Sequence, residues 1–476
     1  MSLAPTSTIA GRLLKAARKS AGLLRNSGAL TIAAIVSACL GFCYWWLAAR
    51  LFPPEAIGRA SALLSVMGLL GLLGDAGLGT LLVGEICRSP GKVRGLVGAA
   101  AVVAFGLAVT LALAFVLAAP LFSHAALVTG WPSELLFVFG CGLTAVTMVG
   151  GQAFLGTLNG TARMIQQVLF STFKLVMIGM AAAVGAADDT AILLTWVAGL
   201  VVSWVGVDIA TRGSARSLLG RPDFGLLHTL RHKVVDHYAL DVALQAPSLV
   251  VPFLVVVLLT PTTNAAFAAV WMLITTAAVI PAVLATVLFP VARAGPKQYR
   301  DNFAMSLGLS LLFSTACALF VLIYSRQILA LFNPAYPDIA GTSLRFLGFS
   351  LVGLTLKFHA CALARLDDAM RRASLWFALG GVMELSFAVI GAKLGGLEGL
   401  VLGWTSSVSI EGMCMLYAGY AGHTRTASDR TYPDPDPQST TRSMFDLPEA
   451  QNSAAPSRRH DGSCVDFYFV AKGADR

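Results

Sequence analysis

Charge is what this 476-residue chain has least of: Asp, Glu, Lys and Arg together make up 12% of it. So sparse a polar complement cannot hydrate the surface of an ordinary water-soluble enzyme. With 56% hydrophobic residues and a mean hydropathy of +0.74, the solvent to expect is lipid. Acids are scarcer than bases, 25 against 34, and the formal charge is +9. Yet the Lys and Arg gather on no polar segment of their own. They stand in short stretches between apolar runs, which sets aside nucleic acid as a partner and makes them membrane-orienting loops. The eight cysteines lie mostly inside apolar runs, so a disulfide framework is excluded. Cys39 and Cys43 are one helical turn apart, but no His or second thiol pair accompanies them, and no metal site is expected. Gly68, Gly71 and Gly74, and Gly156 with Gly160, lack the lysine-serine or acidic residue of a nucleotide fingerprint. They read as helix-packing positions, and no cofactor is expected.

What is present is a series of apolar runs, at 27–49, 60–83, 95–119, 133–157, 164–187, 190–210, 239–260, 265–289, 302–325, 340–363, 373–392 and 396–420. A hydrocarbon layer of about 30 Å takes about 20 residues per helix, and in lipid the backbone must satisfy its own hydrogen bonds. The fold class is therefore all-α and polytopic, with about twelve membrane helices. The predicted organisation is a basic amphipathic segment at 1–26, six spans over 27–210, a linker at 211–238, six spans over 239–420 and a disordered tail at 421–476. Within the linker Leu226, Leu227, Leu230, Val234 and Tyr238 can form one stripe of a surface helix. Alternate loops carry twenty Lys and Arg against four, which predicts both termini in the cytoplasm. Leu51, Pro53, Gly58 and Ala60 recur at constant offset as Leu259, Pro261, Ala266 and Ala268, a faint echo of one half in the other.

Charges inside spans are costly and are the first functional candidates. Lys174 is the sharpest, mid-run beside Ser171 and Thr172, as an anion-binding cation or as one half of an ion pair. Arg345 and Lys357 share the tenth run, but twelve residues separate them by about 18 Å and about 120° of helix, so they cannot meet at one point. Glu384, mid-span in the eleventh run, is a candidate for a coupling proton or for a partner of Lys174; Asp75 and Asp241 are further coupling or ion-pair candidates. Asp241 and Glu411 sit toward the ends of their runs, where water is expected to reach them. Pro247, Pro252 and Pro281 each free a backbone carbonyl within a span and are hinge candidates.

Several stretches resemble a known family. Leu51-Phe52-Pro53-Pro54-Glu55-Ala56-Ile57-Gly58 is similar to the first-loop signature of bacterial polysaccharide transporters of the multidrug/oligosaccharidyl-lipid/polysaccharide exporter superfamily. Leu288-Phe289-Pro290 resembles that family's turn after the eighth span. Leu331-Phe332-Asn333-Pro334-Ala335-Tyr336 with Ser343-Leu344-Arg345-Phe346-Leu347 resembles the start of its tenth, and Gly395-Gly396-Leu397-Glu398-Gly399-Leu400 the start of its twelfth. Asp75, where an apolar residue is usual, and the proline-rich tail depart from the pattern. The resemblance implies two six-helix lobes around a V-shaped cavity in the bacterial cytoplasmic membrane. Alternating access there would move a lipid-linked oligosaccharide, with membrane lipid around it, H+ or Na+ as coupling ion, and polysaccharide polymerase and glycosyltransferases as partners. Two alternatives stand beside it: a cation-coupled multidrug exporter of the same superfamily, and a membrane-embedded glycosyltransferase or ligase. Short outer loops, the longest at 325–339, and the lack of an acid pair in them make a non-enzyme the primary reading.

Overall fold

The structure, a computed structural model, describes residues 36–86, 92–122, 130–211, 213, 220–230, 235–291, 296–366 and 370–429. The basic segment 1–26 and the tail beyond 429 lie outside the described residues. Among those described, all regular structure is helical: α1 (Val36–Leu51), α2 (Pro54–Asp75), α3 (Leu78–Ile86), α4 (Val93–Phe122), α5 (Trp131–Gly156), α6 (Gly160–Ala183), α7 (Asp189–Ala210), α8 (Phe224–Leu230), α9 (Val235–Leu258), α10 (Pro261–Val291), α11 (Pro296–Phe332), α12 (Tyr336–Leu366) and α13 (Met370–Asp429). Ten of these helices are long and apolar enough to cross a membrane, and α1 is a shorter apolar helix. The last span-length helix, α13, is two arms, because Gly395 (φ −146°, ψ 25°) and Gly396 (φ 59°, ψ −137°) break it. The two arms match the separate runs expected at 373–392 and 396–420.

The helices begin where their sequence supplies partners for the free amides of a first turn. Pro54 opens α2 with Glu55 beside it, Asn159 accepts from the Ala162 amide at 3.1 Å, and Asp188 accepts from the Ala191 amide at 2.8 Å. One expected span is not continuous. The run at 60–83 divides into α2 and α3 at Ala76 and Gly77, both left-handed (φ 47° and 73°), and Asp75 Oδ1 caps the new helix by accepting from the Gly79 amide at 3.1 Å. An acid in an apolar run marks that break. Of the surface helix expected in the linker, α8 is described, and Val234 lies outside the described residues. Helix α8 holds Leu226, Leu227 and Leu230, whereas Tyr238 belongs to α9 and its hydroxyl donates to the Leu73 carbonyl at 3.0 Å.

Helices α2 to α7 pack on one another, as do α9 to α13, and α2 is the member of the first set that lies along α9 and α10 of the second. The seam is closest at the end opposite the basic loops. There an added Cβ on Gly58 would lie 1.7 Å from the Pro261 carbonyl oxygen, so only glycine lets the two helices approach. Asn264 Nδ2 donates to the Gly58 carbonyl at 2.8 Å and to Ser61 Oγ at 3.0 Å, and Thr262 Oγ1 donates to Glu55 at 2.9 Å. Gly58 and Pro261 belong to the two segments that echo each other in sequence, and the fold brings those segments together. Replacing Gly58 by alanine should cost about 1–3 kcal/mol, the range for overpacking a close-fitted site. Gly68→Ala, whose Cβ would meet only the flexible tip of Leu249 at 3.3 Å, should cost far less. Thermal unfolding of the two variants in detergent measures the difference.

Candidate functional site

Burial without water forces each intramembrane charge to find a partner in the protein, and the second helix set does this with three residues from three spans. Lys357 on α12 donates from Nζ to Glu384 Oε1 at 2.5 Å, on the first arm of α13, and to Glu411 Oε2 at 3.0 Å, on the second. All three side chains are 3% exposed or less. Trp404 Nε1 donates to the other oxygen of Glu384 at 2.9 Å, and the Trp404 ring meets Trp271 of α10 edge to face. Space for the Glu411 carboxylate comes from Gly380, where a Cβ would sit 2.2 Å from Glu411 Cδ. Two carboxylates therefore share one ammonium, and Glu411 Oε1 has no hydrogen-bond donor.

This geometry corrects two expectations. Glu384 is not the partner of Lys174; its span packs against α12 of its own helix set, and Lys357 takes it. Glu411 is not solvated at a helix end either. The second arm of α13 continues to Asp429, so Glu411 lies well inside the helix and is buried.

Lys174 is 4% exposed and has a different solution. Its Nζ lies 3.8 Å from the ring centre of Trp196, 4.5 Å from that of Phe170 and 4.9 Å from that of Tyr44. Among the described residues no carboxylate pairs with it. Each ring quadrupole attracts a desolvated ammonium, by up to about 2 kcal/mol. The Tyr44 hydroxyl is in turn hydrogen-bonded to Thr195 Oγ1 at 2.9 Å, so the cage ties α1 to α6 and α7.

The remaining candidates lie apart from both clusters. Arg345 is half-buried and donates from Nε to Ser325 Oγ at 3.0 Å, well along α12 from Lys357. Asp241 on α9 accepts from Thr80 Oγ1 of α3 at 3.3 Å and pairs with Arg365 at 3.3 Å, which makes a second bridge across the seam, at the basic-loop end. Asp75 is buried close by. Pro247 packs its ring where a Cβ on Gly381 would stand, 2.7 Å away, and Pro252 and Pro281 are also buried within α9 and α10. The few cations at the opposite end serve the scaffold. Arg50 donates to the Leu331 carbonyl at 2.9 and 3.0 Å, Arg59 lies 3.5 Å from Asp189, and Arg326 pairs with Asp338 at 2.6 Å. Asn333 Nδ2 adds a bond to the Ala49 carbonyl at 3.2 Å.

Residues 23–216, nearly the whole first helix set and its flanks, match the family model of polysaccharide biosynthesis proteins. The whole fold is similar to solved structures of multidrug transporters. An inward-facing multidrug resistance MATE family transporter of the MOP superfamily superposes with a TM-score of 0.68 at 15% identity, over 83% of this chain and 96% of that one. The chain has a MATE-like fold. An outward-facing MATE gives a TM-score of 0.59 at 13% identity, over 85% of this chain and 96% of that one. A MATE in complex with MaL6 gives 0.60 at 15% identity, over 86% and 97%. No curated protein sequence matches the chain significantly. The family resemblance read from the sequence is thus borne out, by the family match over the first set of the MATE-like fold and by the architecture over nearly all of it.

The residues missing from the sequence reading are Trp404 and the rings around Lys174. Tyr44, Phe170 and Trp196 lie in three separate parts of the chain, and of these three only Phe170, one turn away, is a sequence neighbour of Lys174. Removing one charge at a time from the cluster on α12 and α13 should rank the variants. Lys357→Met leaves two unpaired buried carboxylates and should cost the most, about 3–5 kcal/mol. Glu384→Gln, which keeps an acceptor for Trp404, should cost less. Glu411→Gln, which leaves one ammonium facing one carboxylate, should cost least. Melting of the three purified variants checks the order.

Proposed function

We propose that the protein moves a lipid-linked oligosaccharide or polysaccharide precursor across the bacterial cytoplasmic membrane by alternating access, for surface polysaccharide biosynthesis. The observation that carries this reading is the match of residues 23–216 to polysaccharide biosynthesis proteins within a transporter fold. Membrane glycosyltransferases would supply the substrate on the cytoplasmic side, where the basic loops lie, and a polymerase would take it on the other. Exchange between the two faces requires the seam to open at one end while it holds at the other. The two ends are held by different bonds: Arg50, Asn264 and Asn333 at one, Thr80 and Asp241 at the other. Opening at either end breaks a few hydrogen bonds and leaves both helix sets internally intact.

The cluster of Lys357, Glu384 and Glu411 is the proposed coupling site. It holds one negative charge more than it neutralises, and Glu411 Oε1 has no donor. A proton on Glu411, or a sodium ion beside it, would remove both deficits. The same excess charge favours a second reading, a cation-coupled multidrug exporter, and a solved structure of like fold is described as a multidrug resistance MATE family transporter.

Proteoliposomes with a fluorescent lipid-linked oligosaccharide separate the two. The reading as translocator expects the sugar to become accessible to a membrane-impermeant glycosidase only when the protein is present. It also expects Glu411→Gln to lose the acceleration that an imposed proton or sodium gradient gives the wild-type protein. Efflux of a drug such as ethidium with no movement of the sugar would decide for the exporter.

A further inference from the structure

A protein that merely needs to neutralise a buried lysine places a carboxylate beside it, as the second helix set does for Lys357. Around Lys174 the first set supplies ring faces instead. Tyr44 from α1, Phe170 from α6 and Trp196 from α7 all lie within 5 Å of a single ammonium, and no carboxylate among the described residues joins them. Several aromatic faces around one ammonium make the surroundings by which proteins bind alkylammonium ligands. The box is also a built one. Tyr44 is wholly buried and anchored through its hydroxyl to Thr195, and edge contacts with Trp45 and Phe170 hold the Tyr44 and Trp196 rings. Phe170 and Trp196 are only half-buried, so the wall of the box reaches the surface of the helix set.

We propose that Tyr44, Phe170 and Trp196 form a binding site for alkylammonium cations that the chain fills with its own Lys174, and that this tethered occupant keeps organic cations out of the first helix set. The binding site stands on its own geometry; the consequence for selectivity rests on the reading as a translocator of lipid-linked sugar. In that reading one side chain closes the first helix set to organic cations. Such a carrier gains nothing from an open cation box, and a lysine is the simplest plug for it.

Lys174→Ala deletes Cγ, Cδ, Cε and Nζ, four heavy atoms, which is the size of n-propylammonium. The probes are n-propylammonium, tetramethylammonium and the neutral n-propanol, applied to the full chain purified in detergent and read by thermal unfolding. The variant should melt below wild type and recover, saturably, with millimolar n-propylammonium or tetramethylammonium but not with n-propanol. Wild type and Lys174→Ala/Trp196→Ala should respond to none of the three. Equal recovery with n-propanol, an equal response of wild type, or a folded variant that ignores both cations would each overturn the proposal. If Lys174→Ala yields no folded protein even when made with n-propylammonium present, Lys174→Met decides. It keeps all but the last heavy atom of the unbranched side chain and removes the charge, so it should melt below wild type, and wild-type melting would sink the cation site. All readouts concern binding and not transport, so their failure leaves the translocation reading standing, and failure of the proteoliposome assay leaves the cation site standing.

Discussion

An ion held in the middle of a lipid-embedded helix has no water to fall back on, and that one constraint organises the interior of this protein. Each deeply placed charge must be met by groups from other spans, so each becomes a tie between helices. Lys357 joins α12 to both arms of α13 because two carboxylates come to it. Lys174 joins α1 to α6 and α7 because three rings do. The two helix sets answer the same cost with opposite chemistry. One uses carboxylates, two of them for one ammonium; the other uses ring quadrupoles, which attract the ammonium without neutralising it.

Between the sets the constraint works through the backbone. Without a hydrophobic drive to bring helices together in lipid, close approach and hydrogen bonds must do so. Gly58 permits the approach of α2 to Pro261, and Asn264 uses it to reach the Gly58 carbonyl. The same device recurs within α13, where a Cβ on Gly391 would stand 2.0 Å from the Gly399 carbonyl oxygen and one on Gly399 would stand 2.1 Å from that of Gly391. The two arms therefore pack backbone to backbone just beyond the Gly395 and Gly396 break, and this brings Glu384 and Glu411 to one lysine. A helix contact made by glycines thus positions the carboxylates on which the proposed coupling depends.

Most of the architecture was legible in the sequence, because span length and hydropathy are local properties set by the thickness of the membrane. The runs on either side of Gly395 and Gly396 became the two arms of α13. The misreadings were of two kinds. The run at 60–83 looked continuous because apolar residues continue through Ala76 and Gly77, and a left-handed turn leaves no trace in hydropathy. Glu411 looked solvated because its run loses hydropathy soon after it, whereas the helix carries on to Asp429.

The sequence by itself determined that lipid is the solvent, that the spans are helices, and that Lys174, Lys357 and Glu384 stand inside them, since each follows from composition and spacing along the chain. Only the tertiary structure decided how those charges are satisfied. Lys174 and Lys357 look alike in sequence, each a lysine deep in an apolar run, and what separates them is whether the neighbouring span presents a carboxylate or a ring. That depends on the rotation of helices joined by contacts between residues tens or hundreds of positions apart, which no local pattern encodes.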